Sequence, residues 1–131
     1  MTKIVVNGTF DILHPGHVRM LNYAGSLGIY LLVLIDSDRR VRELKGNNRP
    51  VNNQRDRQFL LKNLKAVNDV WIFDSDEELV EKIKLSSPDI MVKGSDYIDR
   101  PILGQELVKK IEFYDRTEHS TTKIIQDIIN R

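Results

Sequence analysis

The chain has 131 residues, a net charge of +1, 40% hydrophobic and 30% charged residues, values that describe one ordinary globular domain (1–131) with a real core. So balanced a charge points to no nucleic-acid partner and no membrane surface, and the absence of cysteine removes disulfides, thiol catalysis and zinc–thiolate sites. The opening MTKIVVNG enters a strand at once, without a signal-peptide core, and no apolar run is long enough for a membrane span, so a cytoplasmic protein is expected.

The first expected strand covers 4–6. A helix follows Pro15, with Val18, Leu21, Ala24 and Leu27 on one stripe and Gly28 expected as its C-terminal cap. A second strand covers 30–35, and residues 36–53, DSDRRVRELKGNNRPVNN, read as the longest polar connection. Residues 94–102 form the next longest, and long connections in compact domains tend to carry function. A helix over about 53–64 puts Phe59, Leu60 and Leu64 in register. After a strand at 70–73, where Trp71 reads as core, the acidic DSDEE suits the start of a helix that ends before Pro88. Strands at 90–92 and 111–114 flank a brief helix expected near 103–110. The last helix opens at STTKIIQDII, where Ser and Thr can cap its start and Ile124, Ile125 and Ile128 follow.

Alternating short apolar strands and helices mean a parallel sheet covered on both faces. The expected fold is α/β: a single-domain, Rossmann-like, doubly wound parallel sheet of five strands. Ligands bind such sheets beyond the carboxyl ends of the strands, where this chain places NGTFDILHPGH. Gly8 lets backbone approach a ligand, the helix start offers unpaired N–H groups, and His14 and His17 fall on one side of a helical turn. Two imidazole donors at such a terminus suit a phosphorus centre that gains charge in a transition state. No nearby third His or carboxylate pair completes a metal site, and neither G-x-G-x-x-G nor G-K-[ST] occurs here.

GTFDILHPGH resembles the H-x-G-H signature of the cytidylyltransferase-like nucleotidyltransferases, and STTKI, Ser120 to Ile124, is similar to their second signature. With the strand–helix rhythm, the resemblance covers nearly the whole chain. It implies attack by a substrate phosphate on the α-phosphorus of a nucleoside triphosphate, with pyrophosphate leaving and no covalent enzyme intermediate. His14 and His17 would stabilise that phosphorus, and Lys45, in the long loop, would reach the phosphates. Gly8, Thr9, Phe10 and Asp11 would hold the nucleotide, Arg57 on the second family helix would face its phosphates, and Lys93, Gly94 and Asp96 would meet the nucleoside. Arg116, Ser120, Thr121 and Thr122 would serve the nucleotide from the last connection and helix start. The resemblance further implies Mg²⁺ bound through the nucleotide phosphates, with no protein ligands for it assigned, and a homodimer.

Two subfamilies compete for the substrates. LKGNNRPVN (44–52) and DIMVKGSDY (89–97) are similar to the adenylyltransferase domain of ADP-heptose synthases, which implies ATP and a heptose 1-phosphate. RTEHSTT (116–122) is similar to the R-T-E-G-I-S-T-T of CTP:glycerol-3-phosphate cytidylyltransferases but one residue shorter, so Arg116 and Ser120 do not both fall on family positions. A non-catalytic nucleotide-binding module is the reading from another class, and retention of both histidines, Lys45, Arg57 and the S-T-T run speaks against it.

Overall fold

A computed structural model describes residues 2–115 and 121–130, and the side chains of all of these except 121 and 122. Five strands form one sheet: β1 (Lys3–Gly8), β2 (Tyr30–Asp36), β3 (Asp69–Phe73), β4 (Ile90–Gly94) and β5 (Lys110–Tyr114). Every pairing is parallel, and the order β3-β2-β1-β4-β5 puts the first strand in the middle. The helices are α1 (Pro15–Ser26), α2 (Asp38–Lys45), α3 (Gln54–Lys62), α4 (Asp76–Ser86) and α5 (Thr121–Ile129).

The two-residue period of a strand sends alternate side chains to opposite faces. Ile4 and Val6 of β1 join Leu31, Val33 and Ile35 of β2 against α1 and α3, through Leu21, Ala24 and Leu61. Val5, Leu32 and Leu34 point the other way, onto Leu79 and Ile83 of α4 and onto Ile102. Both faces of the sheet are therefore buried, as the unbroken apolar strands require. No helix among the described residues is long and apolar enough to cross a membrane.

Three local expectations are corrected. The stretch 36–53 is not one loop, because α2 occupies its first half. Ser37 caps that helix by accepting from the Arg40 N–H, Asp38 lies in its first turn, and Arg42 and Lys45 lie in its last, as the helix dipole favours. Only Val41 is buried, so no apolar stripe announced it. The helix expected near 103–110 is a single 3₁₀ turn, Gln105–Leu107. Gly104 enters it in the left-handed region (φ 85°), Val108 leaves it extended, and β5 begins at Lys110. Gly28 is not the cap of α1 either, since Leu27 closes that helix with its N–H on Ala24 O.

Gly28 is required for a different reason. A Cβ there would collide with the Thr2 carbonyl oxygen, which accepts a hydrogen bond from Ile29 N at 2.9 Å. Gly28→Ala is expected to destabilise the fold by about 1–3 kcal/mol, because backbone must shift to admit the methyl group. A urea unfolding midpoint equal to that of the unaltered protein would refute this.

Candidate active site

The carboxyl ends of the strands open onto a cavity of about 470 Å³, a size suited to a small-molecule ligand. Its floor is the turn between β1 and α1. Phe10 adopts φ 51°, a left-handed conformation that costs a bulky residue energy and is found at functional turns. The result is that its ring folds back under the turn, 5.1 Å from the His17 ring and 3.0 Å from where a Cβ on Gly8 would sit. Glycine at position 8 thus makes room for the Phe10 ring.

His14 and His17 form the start of α1 together. His14 is its N-cap: the His14 Nδ1 accepts from Gly16 N at 3.1 Å, while His17 Nδ1 accepts from the His14 backbone N–H at 3.3 Å. This is a capping box in which imidazole nitrogens play the part usually taken by oxygens. The two rings stack with centroids 3.8 Å apart. A nitrogen that accepts an N–H bond carries no proton, so these hydrogen bonds assign the proton of each neutral ring to Nε2. Pro15 at the first helical position and the remaining N–H groups of the first turn complete a terminus of the kind that suits an anion.

Asp11 is buried beneath this turn and ties it to the segment after α2. It accepts from Val51 N at 2.8 Å, Asn52 N at 2.8 Å and Arg49 Nε at 3.2 Å, and its own carbonyl accepts from Asn52 Nδ2 at 2.9 Å. Arg57 makes a second tie from α3. Wholly buried, it donates to Asn52 O at 3.0 Å, to Thr9 O at 3.0 Å and to Asp38 Oδ1 at 2.8 Å.

The cavity has a wall on each side of β1. On the β2 side stand Asp36, Arg40, Leu44, Lys45 and Arg49; on the other, Lys93, Gly94, Tyr97 and Tyr114. Lys93 Nζ lies 4.5 Å from the Tyr97 ring centroid, a cation–π contact that keeps the ammonium at the cavity. Arg40 is held by Asp76 and by the face of Phe73, with Cζ 5.5 Å from the ring centroid. Burial pushes the Asp36 carboxyl above its ordinary range, while the charges of Arg40, Lys45, Arg57 and Lys93 pull it back. A wider depression of about 690 Å³ lies between α2, α3 and Asp74, but it is open and holds neither histidine.

Of the residues singled out in the sequence, Gly8, Thr9, Phe10, Asp11, His14, His17, Lys45, Lys93 and Gly94 meet at the cavity. Lys45 reaches it from the last turn of α2 rather than from a loop. Arg57 does not line it: its guanidinium points inward to loop carbonyls and Asp38, which makes it a clamp on the site's frame. Asp96 is exposed on the 3₁₀ turn Ser95–Tyr97, off the cavity lining. Arg116 and Ser120 lie outside the described residues, as do the side chains of Thr121 and Thr122. The sequence reading missed Asp36, Arg40, Tyr97 and Tyr114. Position at the carboxyl end of a strand, or just beyond it, was the available signal for all four.

No cluster of three or more His, Asp or Glu side chains that could hold a metal occurs among the described residues. The carboxylate nearest the histidine turn, Asp11, is already occupied by backbone N–H groups.

Residues 5–127 match the cytidylyltransferase-like family. The chain is 47% identical over 128 residues to the bifunctional protein HldE of Campylobacter fetus subsp. fetus, covering 97% of this chain and 28% of that protein. The HldE of Nitratiruptor sp. is 45% identical over 124 residues, 94% of this chain and 27% of the relative. The chain thus spans less than a third of the length of these curated relatives. Among solved structures, a lipopolysaccharide core biosynthesis protein from Thermoplasma volcanium GSS1 superposes with a TM-score of 0.71 at 26% identity, covering 88% of this chain and 99% of that one.

Proposed function

The chain belongs to the cytidylyltransferase-like family, and from that premise we propose that it transfers a nucleoside monophosphate from a nucleoside triphosphate to a small phosphorylated acceptor. An oxygen of the acceptor phosphate attacks the α-phosphorus in line, the bond to the β-phosphate oxygen breaks, and pyrophosphate leaves. Atoms and charge balance without a covalent enzyme intermediate, so the protein's part is positioning and stabilisation of negative charge.

The observation that carries this reading is the imidazole capping box at the start of α1. It commits both Nδ1 atoms to backbone, which leaves Nε2 as the atom of each ring able to donate, in two residues that line a cavity where a helix dipole already favours an anion. Lys45 and Lys93, on opposite walls, would share the charge of the triphosphate and the acceptor phosphate. Mg²⁺ would enter coordinated by the phosphates, as it commonly does, and would neutralise charge on the leaving pyrophosphate. Lys45, Lys93 and the first-turn N–H groups fit that arrangement, since each would donate to phosphate oxygens and none competes for the ion.

ATP and a heptose 1-phosphate are the favoured substrates. The segment similar to ADP-heptose synthases, 44–52, supplies Leu44, Lys45 and Arg49 to one wall, and 89–97 supplies Lys93, Gly94 and Tyr97 to the other. A sugar phosphate also agrees with the lipopolysaccharide role named for the Thermoplasma volcanium structure. The similarity of 116–122 to CTP:glycerol-3-phosphate cytidylyltransferases keeps that pair as the second reading. Pyrophosphate release with Mg²⁺ and each of ATP and CTP, against heptose 1-phosphate and glycerol 3-phosphate, decides between them. Release with ATP and the heptose is expected. Release only with CTP and glycerol 3-phosphate would transfer the assignment to the second reading, and no release with any pair would count against both.

A further inference from the structure

Asp36 ends the strand next to β1, with 12% of its side chain exposed, and it lines the cavity. A carboxylate is an odd wall for a cavity that receives two phosphorylated substrates. Nor is it consumed by the protein. Among the described residues its one charged partner within 4 Å is Arg40, whose Nε stands 3.7 Å away, beyond hydrogen-bond distance, while that guanidinium is held by Asp76 and Phe73. No hydrogen-bond donor to the Asp36 carboxylate occurs among the described residues. The carboxylate thus lines the cavity without a donor from the described residues, and once a ligand displaces water from it that acceptor needs a donor.

The surroundings narrow what that donor is. The carboxylate repels phosphate, so the phosphates belong at the histidine turn and the two lysines. Arg40, Lys45, Arg57 and Lys93 all act on Asp36 from α2, α3 and β4, and that positive field disfavours a second divalent cation. Neutral O–H donors suffer neither objection. Leu44, at the mouth of the same wall, adds apolar surface of the kind that the C–H face of a sugar covers. Lys93 and Gly94, expected beside the nucleoside, occupy the opposite wall with Tyr97.

We infer that Asp36 is the specificity residue for the acceptor: its carboxylate accepts hydrogen bonds from hydroxyls of a polyhydroxylated sugar phosphate held on the β2 wall. The inference rests on the function proposed above and adds which end of which substrate this wall reads. Hydrogen bonds to a charged acceptor are about twice as strong as neutral ones, so the carboxylate favours an acceptor rich in hydroxyls over a short one.

Steady-state kinetics of Asp36→Asn and Asp36→Ala with ATP and heptose 1-phosphate test it, with thermal unfolding as the check on folding. Asp36→Ala is expected to raise the KM for the heptose 1-phosphate by about tenfold or more and to leave the KM for ATP within about twofold. Asp36→Asn, which keeps the shape and one acceptor oxygen, should fall between the two proteins. An unchanged KM for the sugar phosphate in Asp36→Ala overturns the inference, and so does an equal rise in both KM values, the mark of a general disturbance of the cavity. If the unaltered protein turns over CTP and glycerol 3-phosphate instead, the substrate assignment fails before the variants are compared, and the specificity role falls with it.

Discussion

His17→Asn is expected to leave a folded protein whose turnover number is lower by about 10²–10³, the usual loss when one transition-state donor is removed. The polar atoms of asparagine sit where Nδ1 sits in histidine, so the substitution can still accept from the His14 backbone N–H and keep the capping box. It has nothing at the place of Nε2. His17→Gln reverses the exchange, because its amide reaches the place of Nε2 but misses that of Nδ1. It should lose about 1 kcal/mol of stability with the cap, yet turn over at least about tenfold faster than the asparagine variant. Pyrophosphate release and urea unfolding, measured on both variants, check the pair. Near-normal turnover by a folded His17→Asn protein would remove His17 from the chemistry.

Arg57→Met should cost about 3–5 kcal/mol of stability, among the largest effects open to a single residue here. The methionine fills space but donates nothing, so Thr9 O, Asn52 O and the Asp38 carboxylate all lose a partner at once, two of them part-buried carbonyls that must then stay unpaired or draw in water. Arg57→Lys should recover little, since an ammonium cannot reproduce a planar fork aimed at separated oxygens. The urea midpoints of the two variants, read beside the KM for ATP, separate a clamp from a phosphate ligand. A clamp loses stability first. A phosphate ligand would lose nucleotide affinity with stability unchanged, and that result would restore the sequence-based expectation for Arg57.

The five strands were legible because each holds a short β-branched or aromatic run, buried on both faces in the central β1 and β2, and such runs differ from everything around them. The helix α2 was not legible for the opposite reason: seven of its eight residues, DRRVRELK, face outward or sideways, and a polar helix held by its caps has the composition of a loop. Gly28 shows how a correct residue can be given the wrong duty. Glycine after an apolar stripe suggests a left-handed cap, yet here the need is for an absent side chain beside Thr2. At the site, the placing of His14 and His17 on one side of a helical turn could be read from spacing because that geometry is local, while the role expected of them came from the family resemblance. The direction of Arg57 could not, since its partners lie 5, 19 and 48 positions away and only the closed fold brings them together. Asp36 was passed over because IDSDRR looks like the start of a solvated connection, and burial of its carboxylate depends on Arg40 and the walls around it.

The place of β1 in the sheet also sets the order in which the molecule can become functional. β1 is made first and can pair early with β2, but its other neighbour, β4, arrives only after one more strand and three more helices. Such distant parallel pairings form slowly, because a long loop must close before any contact rewards it. A growing chain therefore carries the histidine turn well before it carries the wall made by Lys93 and Tyr97. A ligand gripped from both walls stabilises only the finished sheet, so substrate can hold the native protein together but can give no help to its first half as it folds.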